Sequence, residues 1–159
     1  MDRDEVIELI ADHEGKKYKA YRDSEGILTV GIGMNLEEEI AKSRLDRLGV
    51  DYERLCAGEC ELSEAHVLSL FTHDLNIAIG DAARIRGFWD LPDDVQHAMI
   101  DMAFNLGWPR LKKFKNMIAA LESQPPDYDT AIAEMLDSKW AEQVPNRAQD
   151  DANLVRRHT

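Results

Sequence analysis

The chain has 159 residues, with 31 Asp and Glu against 19 Lys and Arg, a formal charge of −12. That length suffices for one domain that buries most of its apolar surface without metals or staples. The charge argues against nucleic acid as a partner, since phosphate binding rests on cationic neutralisation. No apolar run is long enough to cross a bilayer, and the amphipathic start "MDRDEVIELIADHEG" lacks the form of a secretory signal, so a soluble product made in a cytosol is expected.

Asp2 and Glu5 resemble a helix cap, and Val6, Leu9, Ile10 and His13 follow at helical spacing until Gly15, which predicts a first helix ending at Glu14. From Lys16 to Gly33 the period switches to two, with "DSEG" as a turn, which predicts a hairpin. Residues 37 to 48 read as a charged helix, and "GVDYERLCAGEC" as its break. Cys56 and Cys60 form a lone C-x3-C with no second pair and no His at zinc spacing, so two reduced thiols are expected and no metal; a local disulfide would need an oxidising compartment.

Ser63 opens a long helix with a stripe of Leu68, Phe71, Leu75, Ala78 and Ile79. Pro92 opens a second, in which Val95, Ala98, Met99, Met102, Ala103 and Leu106 share one face while Ile100 and Phe104 make the other apolar too, so it belongs at the centre of its lobe. Helices are also expected over 111–121 and 128–139, with "QVPNR" breaking the pattern before a C-terminal tail. The elements predict an α+β chain: a small lobe over about 14–62 and a helical lobe over about 63–159 together with the first helix, with a cleft between lobes as the ordinary place for a substrate.

In "YRDSEGILTVGIG" (21 to 33), Leu28, Val30 and Ile32 alternate with Thr29, Gly31 and Gly33, so one face is apolar and the other nearly bare. Glycine weakens a strand, which raises the question of what approaches that face closely. Glu14 at the helix end, Asp23 at the turn and Thr29 on the next strand would converge if the strands fold back over the helix. Two carboxyl groups in unequal environments are what glycosidic hydrolysis requires, one to protonate the leaving oxygen and one to activate water or stabilise a cationic sugar. By spacing alone, a solvated helix-end Glu, a turn Asp and a strand Thr remain the simpler reading.

"HEG" followed by "YRDSEGILTVGIG", giving Glu14-x8-Asp23-x5-Thr29, resembles the phage-type lysozymes, and "AFNLG" (103–107) and "SKW" through "QVPNRA" (138–148) extend the resemblance over nearly the whole chain. The resemblance implies a lysozyme-like α+β fold and an endolysin-like muramidase that hydrolyses the β-1,4 bond between N-acetylmuramic acid and N-acetylglucosamine, with peptidoglycan in the interlobe cleft. It also implies Glu14 as proton donor, Asp23 as second carboxylate, Thr29 as holder of the attacking water, Gly31, Gly33 and Phe104 at the substrate, and Arg147 as a supporting residue that approaches the acidic helix end. No metal or organic cofactor is implied. A monomer is expected, made in a host bacterial cytoplasm without stable membrane insertion, released by a separate pore protein and acting on the wall in the periplasm. Many relatives carry His where this chain has Met34, and the acidic balance departs from their basic character. A lytic transglycosylase is the alternative enzyme, against which retention of Asp23 and Thr29 speaks; a non-catalytic wall-binding or assembly protein is the alternative class, which loss of Glu14, Asp23 or Thr29 would have favoured, and none is lost.

Overall fold

The computed structural model describes all residues, 1 to 159, as two compact units, one of Ala11–Asp74 and one of Met1–Ile10 with Leu75–Thr159. The helices α1 (Arg3–Glu14) and α4 (Glu64–Ala82) each contribute to both units. The division after Asp74 lies inside α4. The reason is local: the first half of α4 is bound to the strand unit, with Glu64 accepting hydrogen bonds from Lys16 and Tyr18 and with Arg44 bridging to the Leu70 carbonyl at 3.0 Å and to Asp74 at 2.9 Å.

The strand unit is built on β1 (Lys17–Arg22), β2 (Leu28–Gly31) and β3 (Met34–Asn35), an antiparallel sheet in the order β1-β2-β3. Tyr21 pairs with Thr29 and Arg22 with Leu28, and a bulge between Lys17 and Tyr21 shifts the register. The third strand, absent from the sequence reading, pairs Thr29 with Asn35 and Val30 with Met34. It arises because Gly31 and Gly33, at φ +67° and +69°, turn the chain back where strict alternation would have carried it on. Val30, Ile32, Met34, Leu36, Leu45, Leu55, Leu62, Val67 and Phe71 are buried in this unit. The helix expected over 37–48 is confined to α2 (Ala41–Arg47), and the expected break contains a short α3 (Tyr52–Cys56), whose start is capped by the Asp51 carboxylate accepting from the Arg54 amide at 3.0 Å. Both cysteines are free thiols and half-buried.

Ser63 caps α4 as expected, its hydroxyl accepting from the His66 amide at 3.1 Å. The buried stripe of α4 runs through Val67 and not Leu68, which is 47% exposed. In the helical unit α5 (Asp93–Leu106) is buried nearly all round, including Val95, Ala98, Met99, Ile100, Met102, Ala103 and Leu106, and it packs against α10. Full burial of each large apolar side chain contributes about 1.5–3 kcal/mol, which is why this helix forms the centre of its unit. The helix expected over 111–121 is instead α6 (Trp108–Leu111) and α7 (Lys115–Glu122), and that expected over 128–139 stops as α8 (Tyr128–Leu136). Ser138 then caps α9 (Lys139–Gln143) through the Ala141 amide at 3.1 Å. "QVPNR" is no prelude to a tail: Pro145 occupies the first turn of α10 (Pro145–Arg156), where its missing N–H costs nothing. Arg147, Ala148, Asp151, Ala152 and Val155 form the buried face of α10. No helix is long and apolar enough to cross a membrane.

Candidate active site

In the strand unit, Glu14 is the last residue of α1, which stops because Gly15, at φ +75°, closes the turn with its amide on the Ala11 carbonyl at 2.8 Å. The Glu14 side chain lies over Gly33: a Cβ added there would stand 2.8 Å from Oε2, 3.0 Å from Cδ and 3.2 Å from Cγ. The close approach that the glycine face required is therefore made by the acid itself. Gly31 does not share that role in the packing, since a Cβ on it would meet the apolar Leu62 and Val67 at 3.9 Å.

Asp23 and Thr29 are held through one residue, Ile27. The Ile27 amide donates to Asp23 Oδ1 at 2.9 Å, and the Thr29 hydroxyl donates to the Ile27 carbonyl at 2.9 Å. Asp23 Oδ1 also accepts from the Glu25 amide at 2.9 Å, and the Gly26 amide donates to the Asp23 carbonyl at 3.0 Å, so the turn's backbone saturates one carboxylate oxygen. The second oxygen, Oδ2, takes no protein donor. Thr29 is 4% exposed and has spent its only hydrogen on Ile27, so its oxygen can act towards a ligand only as an acceptor.

Tyr21, which sequence reasoning passed over, stands directly across β1 and β2 from Thr29. Burial, then the charge of Glu14 and then that of Asp23 push its phenol above the ordinary tyrosine range. The signal was present in the sequence as a tyrosine two residues before Asp23 and, in an eight-residue hairpin offset, opposite Thr29.

The helical unit holds the other two residues. Phe104 is half-buried on α5, and Arg147 is buried on α10. Arg147 grips Asp101 of α5 with two charge-assisted bonds, Nε to Oδ2 at 2.8 Å and Nη2 to Oδ1 at 2.7 Å. Asp151, one helical turn beyond Arg147, is fully buried, and neither of its carboxyl oxygens has a donor. Burial first, and then the charge of Asp101, hold the Asp151 carboxyl well above the usual carboxylate range. That direction favours the protonated acid next to the Asp101 carboxylate. Asp101 within an otherwise apolar run and Asp151 on the buried stripe of α10 were the sequence signs of this pair.

Against known proteins, the Phage lysozyme family model matches residues 11–159. The chain is 26% identical over 159 residues to "Probable T4-type lysozyme 1" of Dictyostelium discoideum, covering 94% of this chain and 92% of that protein. It is also 26% identical over 150 residues to "Probable T4-type lysozyme 2" of the same organism, covering 89% and 87%. A match over nearly the whole chain, on the α+β architecture described above, makes this protein a member of the phage lysozyme family.

Proposed function

We propose that the protein is a muramidase that hydrolyses the β-1,4 bond between N-acetylmuramic acid and N-acetylglucosamine, with Glu14 as general acid and with Asp23 and Thr29 holding the attacking water. The observation that carries the reading is the seat of Glu14 on Gly33, whose missing Cβ admits the carboxyl to within 2.8 Å of the Cβ position. A protonated Glu14 gives its hydrogen to the glycosidic oxygen as the bond to the anomeric carbon breaks.

The water's orientation follows from hydrogen-bond bookkeeping. Thr29 can only accept, because its hydrogen is on the Ile27 carbonyl, and Asp23 accepts through Oδ2, because Oδ1 serves the Glu25 and Ile27 amides. A water giving one hydrogen to each is left with a lone pair to direct at the sugar, and Asp23 takes up the proton released on attack. The chemistry needs no cofactor, and the family implies peptidoglycan as the substrate.

Glu14→Gln keeps the shape of the side chain and removes its proton-donating ability. Release of reducing ends from soluble peptidoglycan should fall by about two orders of magnitude or more, with circular dichroism and thermal midpoint unchanged. A correctly folded Gln variant that turns over near the parent rate would end this assignment.

A further inference from the structure

The ladder between β2 and β3 ends in an exchange of partners. The Leu36 amide donates to the Leu28 carbonyl at 2.8 Å, so the two residues form a hydrogen-bonded pair, and in an antiparallel ladder such a pair ordinarily makes the return bond from the Leu28 amide to the Leu36 carbonyl. Here the return bond goes to a side chain. The Leu28 amide donates to Glu37 Oε2 at 2.6 Å, while the Leu36 carbonyl accepts from the Tyr52 hydroxyl at 2.8 Å. Glu37 is itself held by a local turn, its amide donating to Asn35 Oδ1 at 2.7 Å, and Arg22 Nη1, which donates to the Gly26 carbonyl at 2.9 Å, stands 3.9 Å from Glu37 Oε2.

The Leu28 amide belongs to the same peptide unit as the Ile27 carbonyl, and that carbonyl accepts both the Thr29 hydroxyl at 2.9 Å and the Asp23 amide at 3.0 Å. The unit is trans, so its N–H and C=O point to opposite sides: one end is held by Glu37 and the other by the hairpin. We propose that Glu37 is a positioning residue, which fixes the Ile27–Leu28 peptide unit and through it keeps the Thr29 hydrogen on the Ile27 carbonyl. The proposal rests on the reading of Thr29 as a holder of the attacking water. A hydroxyl that is free to rotate can donate to that water as well as accept from it, and the water's lone pair then loses its direction. With the N–H end tied to a carboxyl oxygen, the C=O end is also the better acceptor, since hydrogen bonds in series polarise one another. The Asp23 carboxylate depends less on this unit, because Oδ1 is held by the Glu25 and Ile27 amides of other peptide units.

Glu37→Ala removes the acceptor, and Glu37→Gln keeps one at the same reach. On soluble, uncrosslinked peptidoglycan, well below the thermal midpoint of each variant, Glu37→Ala should lower kcat about fivefold with KM within about twofold, a loss that corresponds to a few tenths of an ångström where about 1 Å costs about a hundredfold. Glu37→Gln should stay within about twofold of the parent in both constants, because its side-chain oxygen still accepts from the Leu28 amide. In a Thr29→Ala background, Glu37→Ala should change the residual rate by less than about twofold, because the hydroxyl it serves is gone. A side chain that only closes the ladder for folding would lower the thermal midpoint and leave kcat at the parent value. That result, a rise in KM alone, a Glu37→Gln enzyme as slow as Glu37→Ala, or the full fivefold loss in the Thr29→Ala background would each overturn the proposal. Failure of the reading beneath it is a separate result: Thr29→Ala alone would then keep the parent rate, and the proposal would fall with it.

Discussion

Replacing Gly33 by alanine probes the seat of the acid without touching any functional group. Two costs are separable. The backbone at Gly33 sits at φ +69°, where an L-residue pays about 1–2 kcal/mol, and Gly49 and Gly58 sit at +73° and +75° in the same unit. An added Cβ meets nothing within 4 Å at either of those two, whereas at Gly33 it falls 2.8 Å from Glu14 Oε2 and 3.0 Å from Cδ. To restore ordinary contact the carboxyl must retreat by about half an ångström. Since a misplacement of about 1 Å can cost about a hundredfold in rate, the retreat corresponds to about tenfold. Thermal or urea unfolding of the three alanine variants should therefore show similar losses of about 1–2 kcal/mol, with initial rates of peptidoglycan hydrolysis reduced only in Gly33→Ala. A Gly33→Ala enzyme as active as Gly49→Ala would refute the idea that this glycine exists to seat Glu14.

Asp151→Asn keeps a donor for Asp101 and removes the buried acid. Because the Asp151 carboxyl is raised in the folded protein from 3.8, its contribution to stability is complete below about pH 4 and is lost as pH rises through the raised folded value, at about 1.4 kcal/mol per unit of difference. Urea unfolding should find the Asn variant more stable than the parent at pH 7, with the gain shrinking towards pH 4; destabilisation at pH 7 would mean that Asp151 is ionised and used as such. Salt tests whether total or local charge governs encounter with an anionic wall. Raising ionic strength from 0.01 to 0.1 M shortens the screening length from about 30 Å to about 10 Å, so the charge of −12 should make hydrolysis of permeabilised bacterial cells rise at constant osmolarity, and a monotonic decline would give the control to local cations.

Local cations are distributed differently from their order in the sequence. Arg84 lies 3.7 Å from Asp81 and over the Trp108 ring, and Arg86 lies 3.5 Å from Glu122, so both are committed to neighbours. Lys113 and Lys115 instead line a groove of about 640 Å³ in the helical unit with Arg110 and Lys139, facing Glu134 and Asp137. The long periodic elements α1, α4 and α5 were legible because caps and apolar spacing agree along their whole length. What the sequence concealed were events that depend on one backbone angle or one partner. Gly31 and Gly33 looked like two vacancies on one face, yet their positive φ values turn the chain, creating β3 and sending one glycine towards Leu62 and Val67 and the other to Glu14. Pro145 looked like a breaker because proline ends a helix from within, while at the first turn it starts one. Leu68 and Val67 are adjacent in sequence, and periodicity alone does not decide between stripes one residue apart.

The candidate site was legible as residue types but not as a division of labour, and that division ties its chemistry to its fold. Asp23 Oδ1 builds the turn, which in the proposed mechanism leaves Oδ2 for the reaction; the Thr29 hydrogen ties it to Ile27, which would leave its lone pairs for water. Each residue is half structural, and both structural halves end on one residue, Ile27, through its amide and its carbonyl on successive peptide units. A change of side chain at position 27 that preserves its backbone leaves both bonds in place. A change that moves that backbone turns Asp23 and Thr29 together and would shift the water that the proposed mechanism places between them. In the proposed mechanism the hairpin is the element on which the water site would be built, with Glu14 seated from α1 onto Gly33 of the same unit.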